Sequence, residues 1–135
     1  MIKVSWEEFN KKEFLDALMK LKKVPDEKLT ATTRFRVATI AQACFLQMIE
    51  AQKATKDLLE KYAKKDEKGE ILGFPDQSKI EFPSKADEEK YDAAFKVMLA
   101  TRFKINCSPI LVSSLEGASL SGVELLALNP VLIDI

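Results

Sequence analysis

The sequence predicts an α+β chain, mostly α, built as a helical hairpin with one long central helix. To this are added a small β-hairpin insertion, a third helix, and a C-terminal strand plus short helix. Three observations predict it. Residues 29–65 contain neither Pro nor Gly, and apolar or small residues recur there at three-four spacing (Val37, Ala41, Cys44, Met48, Ala51, Leu58, Tyr62), the mark of one helical face. Between residues 70 and 82 two short apolar runs flank Pro75-Asp76-Gln77-Ser78, the pattern of a small β-hairpin. Residues 102–107, Arg-Phe-Lys-Ile-Asn-Cys, alternate polar with apolar as a half-buried strand does.

In chain order, residues 1–4 are a short lead-in. Ser5 with Glu8 forms a capping box, which opens a helix over residues 6–22 with Phe9, Phe14, Leu15, Leu18 and Leu21 facing inward and Trp6 at its start. Val24-Pro25-Asp26 ends it, because the residue before a proline avoids helical geometry. The long helix starts near Thr30, and a second stripe (Ala38, Phe45, Ile49, Leu59, Ala63) widens its apolar face. The first helix is expected to pack antiparallel along its start, as an αα-hairpin. The long helix runs to about residue 65, with Gly69 suited to the left-handed C-terminal position.

After the β-hairpin, Ser84 with Asp87 caps a third helix over residues 85–101, with Tyr91, Ala94, Phe95, Met98 and Leu99 inward. Pro109 interrupts the strand that follows, and residues 110–112 continue it as an edge segment. Ser121 with Glu124 caps a last short helix, residues 122–128, which Asn129-Pro130 stops. The tail, residues 131–135, is apolar to its last residue and is expected to be tied down. No linker or repeat marks a second domain. The chain therefore reads as a single domain, 1–135, made of a helical hairpin (5–66), a β-hairpin (70–83), a helix (84–101), and a strand with a short helix (102–135).

At about 1.5 Å per residue the central helix would be roughly 50 Å long, and the first helix covers only about half of it. A helix of that length needs further neighbours, within the chain or on another one. Small residues at Ala41, Cys44 and Ala51 admit a close approach. The first stripe (Val37, Ala41, Cys44, Met48, Ala51, Leu58, Tyr62) is therefore the candidate face for a partner or for self-association.

Composition narrows the chemistry. Apolar residues at 47% and charged ones at 31% fit a folded, water-exposed protein. Lys and Arg total 21 and Asp and Glu total 21, so the basic excess of a nucleic-acid binder is missing, and the lysines from Lys53 to Lys68 read as cations suited to a helix C-terminus. With no histidine, the commonest general base, the Ser/Cys-His nucleophile pairs and most zinc sites are not available. Cys44 and Cys107 lie far apart, and the four glycines form neither a P-loop nor a GxGxxG pattern. The acidic run around Asp66 lacks the spacing of a calcium loop, and the one at Asp87-Glu88-Glu89-Asp92 sits in the first turn of a helix, where the dipole favours carboxylates. No catalytic, cofactor-binding or metal-ligating residue is predicted, and no cofactor. Neither a signal peptide nor an apolar run of about 20 residues is visible, so no membrane span is expected.

The order of EFLDALMKL, LLEKYAKKDEKGEI, RFKINCSPILVSSLEG and ASLSGVELLALNPVL, ending in "LS..EL..L.P", resembles small proteins of unassigned function encoded by tailed bacteriophages. The resemblance carries no chemical signature and no functional residues. It implies a phage product in the host bacterial cytoplasm or the virion. The expected function is non-enzymatic protein–protein contact, as a virion structural or assembly component that joins its own copies or another virion protein. The competing expectations are a small inhibitor of a host enzyme or defence protein, and a nucleic-acid-binding accessory.

Overall fold

A computed structural model describes residues Met1–Ile133, so Asp134 and Ile135 of the predicted tail lie outside the described residues. The chain forms two compact units, one of Met1–Met48 with the chain from Thr101 onward, the other Ile49–Ala100. The boundary falls inside a helix, which is why no linker marks it in the sequence.

The first unit opens on a strand, β1 (Ile2–Ser5), where the sequence suggests only a lead-in. It pairs antiparallel with β2 (Arg102–Ile105), the strand predicted from alternation, in the register Ile2↔Ile105, Lys3↔Lys104, Val4↔Phe103 and Ser5↔Arg102. Ile2, Val4 and Ile105 are buried while Lys3 and Lys104 face out, as a two-residue period requires. The Trp6 amide donates to the Thr101 carbonyl at 2.9 Å and extends the ladder by one bond.

Ser5 ends β1 and caps α1 (Trp6–Phe9) in the predicted box, with the Glu8 amide donating to Ser5 Oγ and the Ser5 amide to Glu8 Oε1, both at 3.1 Å. The helix predicted over residues 6–22 is two helices, broken at Asn10-Lys11 before α2 (Lys12–Lys22). Phe9 and Phe14 supply the reason. Five residues apart, they sit about 140° apart on one continuous helix, yet both are fully buried. The break re-phases the chain so that both rings enter the core, where Phe9 meets Phe103 edge-to-face at 5.3 Å between ring centroids.

A turn through Pro25 leads to α3 (Ala31–Tyr62), the long helix, about 48 Å from end to end. Thr30 caps it: the Thr33 amide donates to Thr30 Oγ1 at 3.2 Å. Near the chain's end, α5 (Gly122–Ala127) carries the predicted Ser121/Glu124 capping box, and Lys20 Nζ on α2 reaches Glu124 Oε1 at 2.9 Å. The Ser121 amide and then Lys20 hold the Glu124 carboxyl below its ordinary pKa. Strand β3 (Ile110–Leu111) pairs parallel with β4 (Leu132–Ile133), which ties down the described part of the tail.

The second unit joins the end of α3 to α4 (Lys85–Leu99), capped by Ser84 as predicted. Helix α3 stops at Tyr62 rather than near residue 65, because the backbone at Lys64 turns to other partners. The Leu72 amide donates to the Lys64 carbonyl at 2.9 Å, the Asp66 amide to Glu70 at 2.8 Å, and the Lys64 amide to Glu81 at 2.8 Å. The small antiparallel hairpin of this insertion thus pairs Lys65 with Ile71, a few residues earlier than the 70–83 the sequence suggests. Its turn is closed by Asp66, whose Oδ1 accepts from the Lys68 and Glu70 amides, and by Gly69 at φ +80°. An Asp at the turn's first position and a Gly at its fourth outcompete the Pro75 turn. Gly69 therefore serves the hairpin, not the helix end; Gln77–Lys79 form a 3₁₀ turn within the predicted turn region, and the strand expected over residues 79–82 does not form. Ile80 and Phe82 bury their side chains without a ladder, against a core of Leu59, Ala63, Ile71 and Tyr91. Tyr91 touches Phe82 and Phe95 at 5.2 and 5.7 Å between ring centroids. No helix among the described residues is long and apolar enough to cross a membrane.

Candidate functional site

The stripe predicted as a partner face faces inward. Val37, Cys44 and Ala51 are buried, and Ala41, Met48, Leu58 and Tyr62 are half-buried. Leu58 and Tyr62 pack on the aromatic core of the second unit. Burial pushes the Cys44 thiol up to about 12, so it behaves as a small apolar side chain. Val37, Cys44 and Ala51 therefore have no surface to present to a second chain, while the other four keep only part of theirs.

The side chains left over on the same helix are the informative ones. Phe35 is 71% exposed, Phe45 56% and Leu46 54%. With Ala38 and Gln42, both exposed, they occupy positions i, i+3, i+7, i+10 and i+11, an arc of about 100° on the side of α3 away from Val37 and Cys44. Between Arg36 and Glu50 the helix has no charged residue, so the middle of the outer stripe, from Ala38 to Phe45, is bordered by uncharged side chains, with Arg34, Arg36 and Glu50 at its ends. Large exposed apolar side chains that follow a helical stripe, rather than lying scattered, mark interaction surfaces.

The surroundings hold this face rigidly. Trp6 Nε1 donates to Gln47 Oε1 at 2.9 Å, fixing an otherwise buried indole N–H. Arg36 Nη1 donates to the Pro109 carbonyl at 3.3 Å, and Thr39 Oγ1 to the Phe35 carbonyl at 2.9 Å. The expectation that Ala38 and Phe45 continue one broad inward face with Leu59 and Ala63 is corrected. Leu59 and Ala63 are buried while Ala38 and Phe45 are exposed, although the spacing puts all four on nearly one side of the helix: Leu59 and Ala63 enter the core of the second unit, whereas Ala38 and Phe45 belong to the first.

Beside the stripe, at the start of α3, a cleft of about 250 Å³ opens between α2, the Pro25 turn and α3. Leu21, Val24, Leu29 and Val37 form its apolar walls, and Lys22, Asp26 and Arg34 its polar ones. Arg34 Nη1 lies 3.3 Å from Asp26 Oδ2, but Arg34 Nε is buried with no hydrogen-bond partner among the described residues. A buried donor without an acceptor costs on the order of 1–3 kcal/mol. Phe35, Leu46 and Arg34 belong to no pattern named in the sequence reading. The signal for Leu46 is the charge-free run through residues 37–49; Phe35 stands outside it, between Arg34 and Arg36, and for Arg34 there is none, since its environment is set by the turn it meets.

Three of the lysines from Lys53 to Lys68 have partners on the chain. Lys53 pairs with Glu50 at 3.7 Å, Lys56 lies over the Phe74 ring and Lys61 over Tyr62. No protein-family profile, curated protein or solved structure matches the chain.

Proposed function

We propose that this protein acts by protein–protein contact rather than by catalysis, that the outer face of α3 is the contact surface, and that its first partner is a second copy of the chain, in a phage particle or its assembly. The observation that carries the reading is the outward stripe of Phe35, Ala38, Gln42, Phe45 and Leu46. The phage setting is supported by the resemblance in segment order alone.

Self-complementarity favours a second copy over an unrelated protein. An isologous pair brings the same patch from both sides around a two-fold axis. With the axis at Gln42, antiparallel helices set Ala38 of one copy against Leu46 of the other, small against large, and pair the two Gln42 amides at the centre. The formal net charge of zero adds no repulsion between copies.

Magnitude sets the expected strength. At about 200 Å² per aromatic side chain, Phe35 and Phe45 offer about 250 Å² per copy and about 500 Å² per pair. At about 25 cal/mol per Å² that is about 12 kcal/mol, set against about 4–15 kcal/mol for lost freedom on association. The difference runs from about 8 kcal/mol down to nothing, so a dimer held by these rings alone is micromolar at its tightest. Light scattering across a hundredfold range of concentration tests it: a mass rising from one copy to two supports self-association. A mass constant at 15.2 kDa refutes it.

A further inference from the structure

We propose that the outer edge of β2 docks an extended acidic segment of another protein, which adds to the β1–β2 pair as a third strand. The register sets which backbone groups are open to it. The Trp6 amide donates to the Thr101 carbonyl, so these two residues are a hydrogen-bonded pair, and by alternation so are Val4↔Phe103 and Ile2↔Ile105. The amides and carbonyls of Arg102 and Lys104 therefore point away from β1. Both residues are exposed, and among the described residues no backbone group reaches theirs from that side. The opposite edge is taken: the Ser5 amide donates to Glu8 Oε1, and the turn Asn129–Val131 lies against β1.

The side chains beside this edge select the strand that fits. Lys3, Arg102 and Lys104 are exposed on one face of the pair, and none of them is in an ion pair among the described residues. Lys3 and Lys104 are a non-hydrogen-bonded pair, with Cα atoms about 4.5 Å apart, and Arg102 lies about 7 Å along β2 from Lys104. Cations held that close repel one another, so the edge turns away a second β2 and favours a strand with acids at alternate positions. Such a strand sets its acids beside Arg102 and Lys104 while its main chain bonds to theirs. A nucleic acid would use the charges alone. It has no alternating row of N–H and C=O, and Phe103, the one aromatic of the two strands, turns to Phe9 and offers no ring for a base to stack on. The contact uses neither the outer face of α3 nor a second copy, so it stands apart from the self-association proposed above.

The test is an NMR titration of the whole chain with the acetylated and amidated peptide Glu-Val-Glu-Val-Glu. Three controls go with it: the peptide with Gln for each Glu, the peptide N-methylated at its Glu amides, and an oligothymidylate of equal charge. The Glu peptide is expected to shift the Arg102 and Lys104 amides saturably, at high-micromolar to millimolar concentration. Each control is expected to bind at least about tenfold more weakly, since one set of contacts is missing from each. Lys104→Glu is expected to weaken the Glu peptide at least about tenfold without lowering the melting temperature, which a merely structural role for Lys104 would not do. A Gln or N-methylated peptide binding as tightly as the Glu peptide overturns the proposal. So does equal or tighter binding of the oligothymidylate, which would make the face a nucleic-acid contact. Wild-type affinity in Lys104→Glu overturns it too, as does the absence of any shift at several millimolar peptide.

Discussion

Replacing Phe45 with alanine separates association from folding. The ring is 56% exposed, so of about 200 Å² some 110 Å² per copy is free to be covered, or about 220 Å² per pair. At about 25 cal/mol per Å² full cover is worth about 5.5 kcal/mol. Rim contact and the retained Cβ reduce this, and half is a working figure: about 2.7 kcal/mol, a hundredfold in the dimer dissociation constant. The fold itself should suffer little, because more than half of the ring is exposed and alanine exceeds phenylalanine in helix propensity by several tenths of a kcal/mol, which offsets part of the loss of its covered side. Val37→Ala is the control from the inner stripe. Val37 is 3% exposed, and losing its methyl groups should cost about 1–3 kcal/mol of stability, or roughly 5–10 °C in a chain of this length, with the association constant unchanged. Sedimentation or light scattering reads the first quantity and thermal melting the second. The reasoning is refuted if Phe45→Ala keeps the wild-type dependence of mass on concentration, or if it melts several degrees lower while Val37→Ala does not.

Three further outcomes follow from single contacts. Gly73→Ala should destabilise the second unit by at least about 2 kcal/mol in urea unfolding, because its φ is +88° and a Cβ would overlap the Lys79 carbonyl; Gly69→Ala, at φ +80° with open space around it, should cost only about 1–2 kcal/mol. Equal effects at the two glycines would refute the overlap. Lys104→Glu should stabilise the chain by about 0.2–1 kcal/mol at low salt, because Lys3 and Lys104 stand directly opposite on β1 and β2, and the gain should fade in molar salt. A loss of stability at low salt would refute it. For Cys44 the folded pKa is raised from 9.0 to about 12. The unfolded chain therefore ionises first, and this contribution to stability is full below about pH 9 and declines above it. A thiol reagent at pH 8 should find the half-buried Cys107 quickly and Cys44 only through unfolding, so two fast thiols would contradict the burial.

What was legible in the sequence is what a few neighbouring residues decide. Ser5 with Glu8, Ser84 with Asp87 and Ser121 with Glu124 cap the helices they were read to cap, since each bond spans three residues and needs no distant partner. The long helix was legible for the same reason, by the absence of any breaker across residues 31–62. Strand β1 was not, because its partner lies about a hundred residues on and four residues of alternation are too short a signal. Nor was the break at Asn10, which exists so that two rings from different helical phases share one core. For the candidate site the limit is sharper. Periodicity shows that a helix has an apolar face, and α3 has two; the Val37–Cys44 stripe and the Phe35–Leu46 stripe repeat with the same period. Which one the chain covers depends on its own packing, and no period carries that. The run of residues 37–49 without a charge does carry a related fact. A helix with no charged side over that span cannot put both of its faces to water without cost, so once the fold has covered one, the other is the place to look for a second molecule.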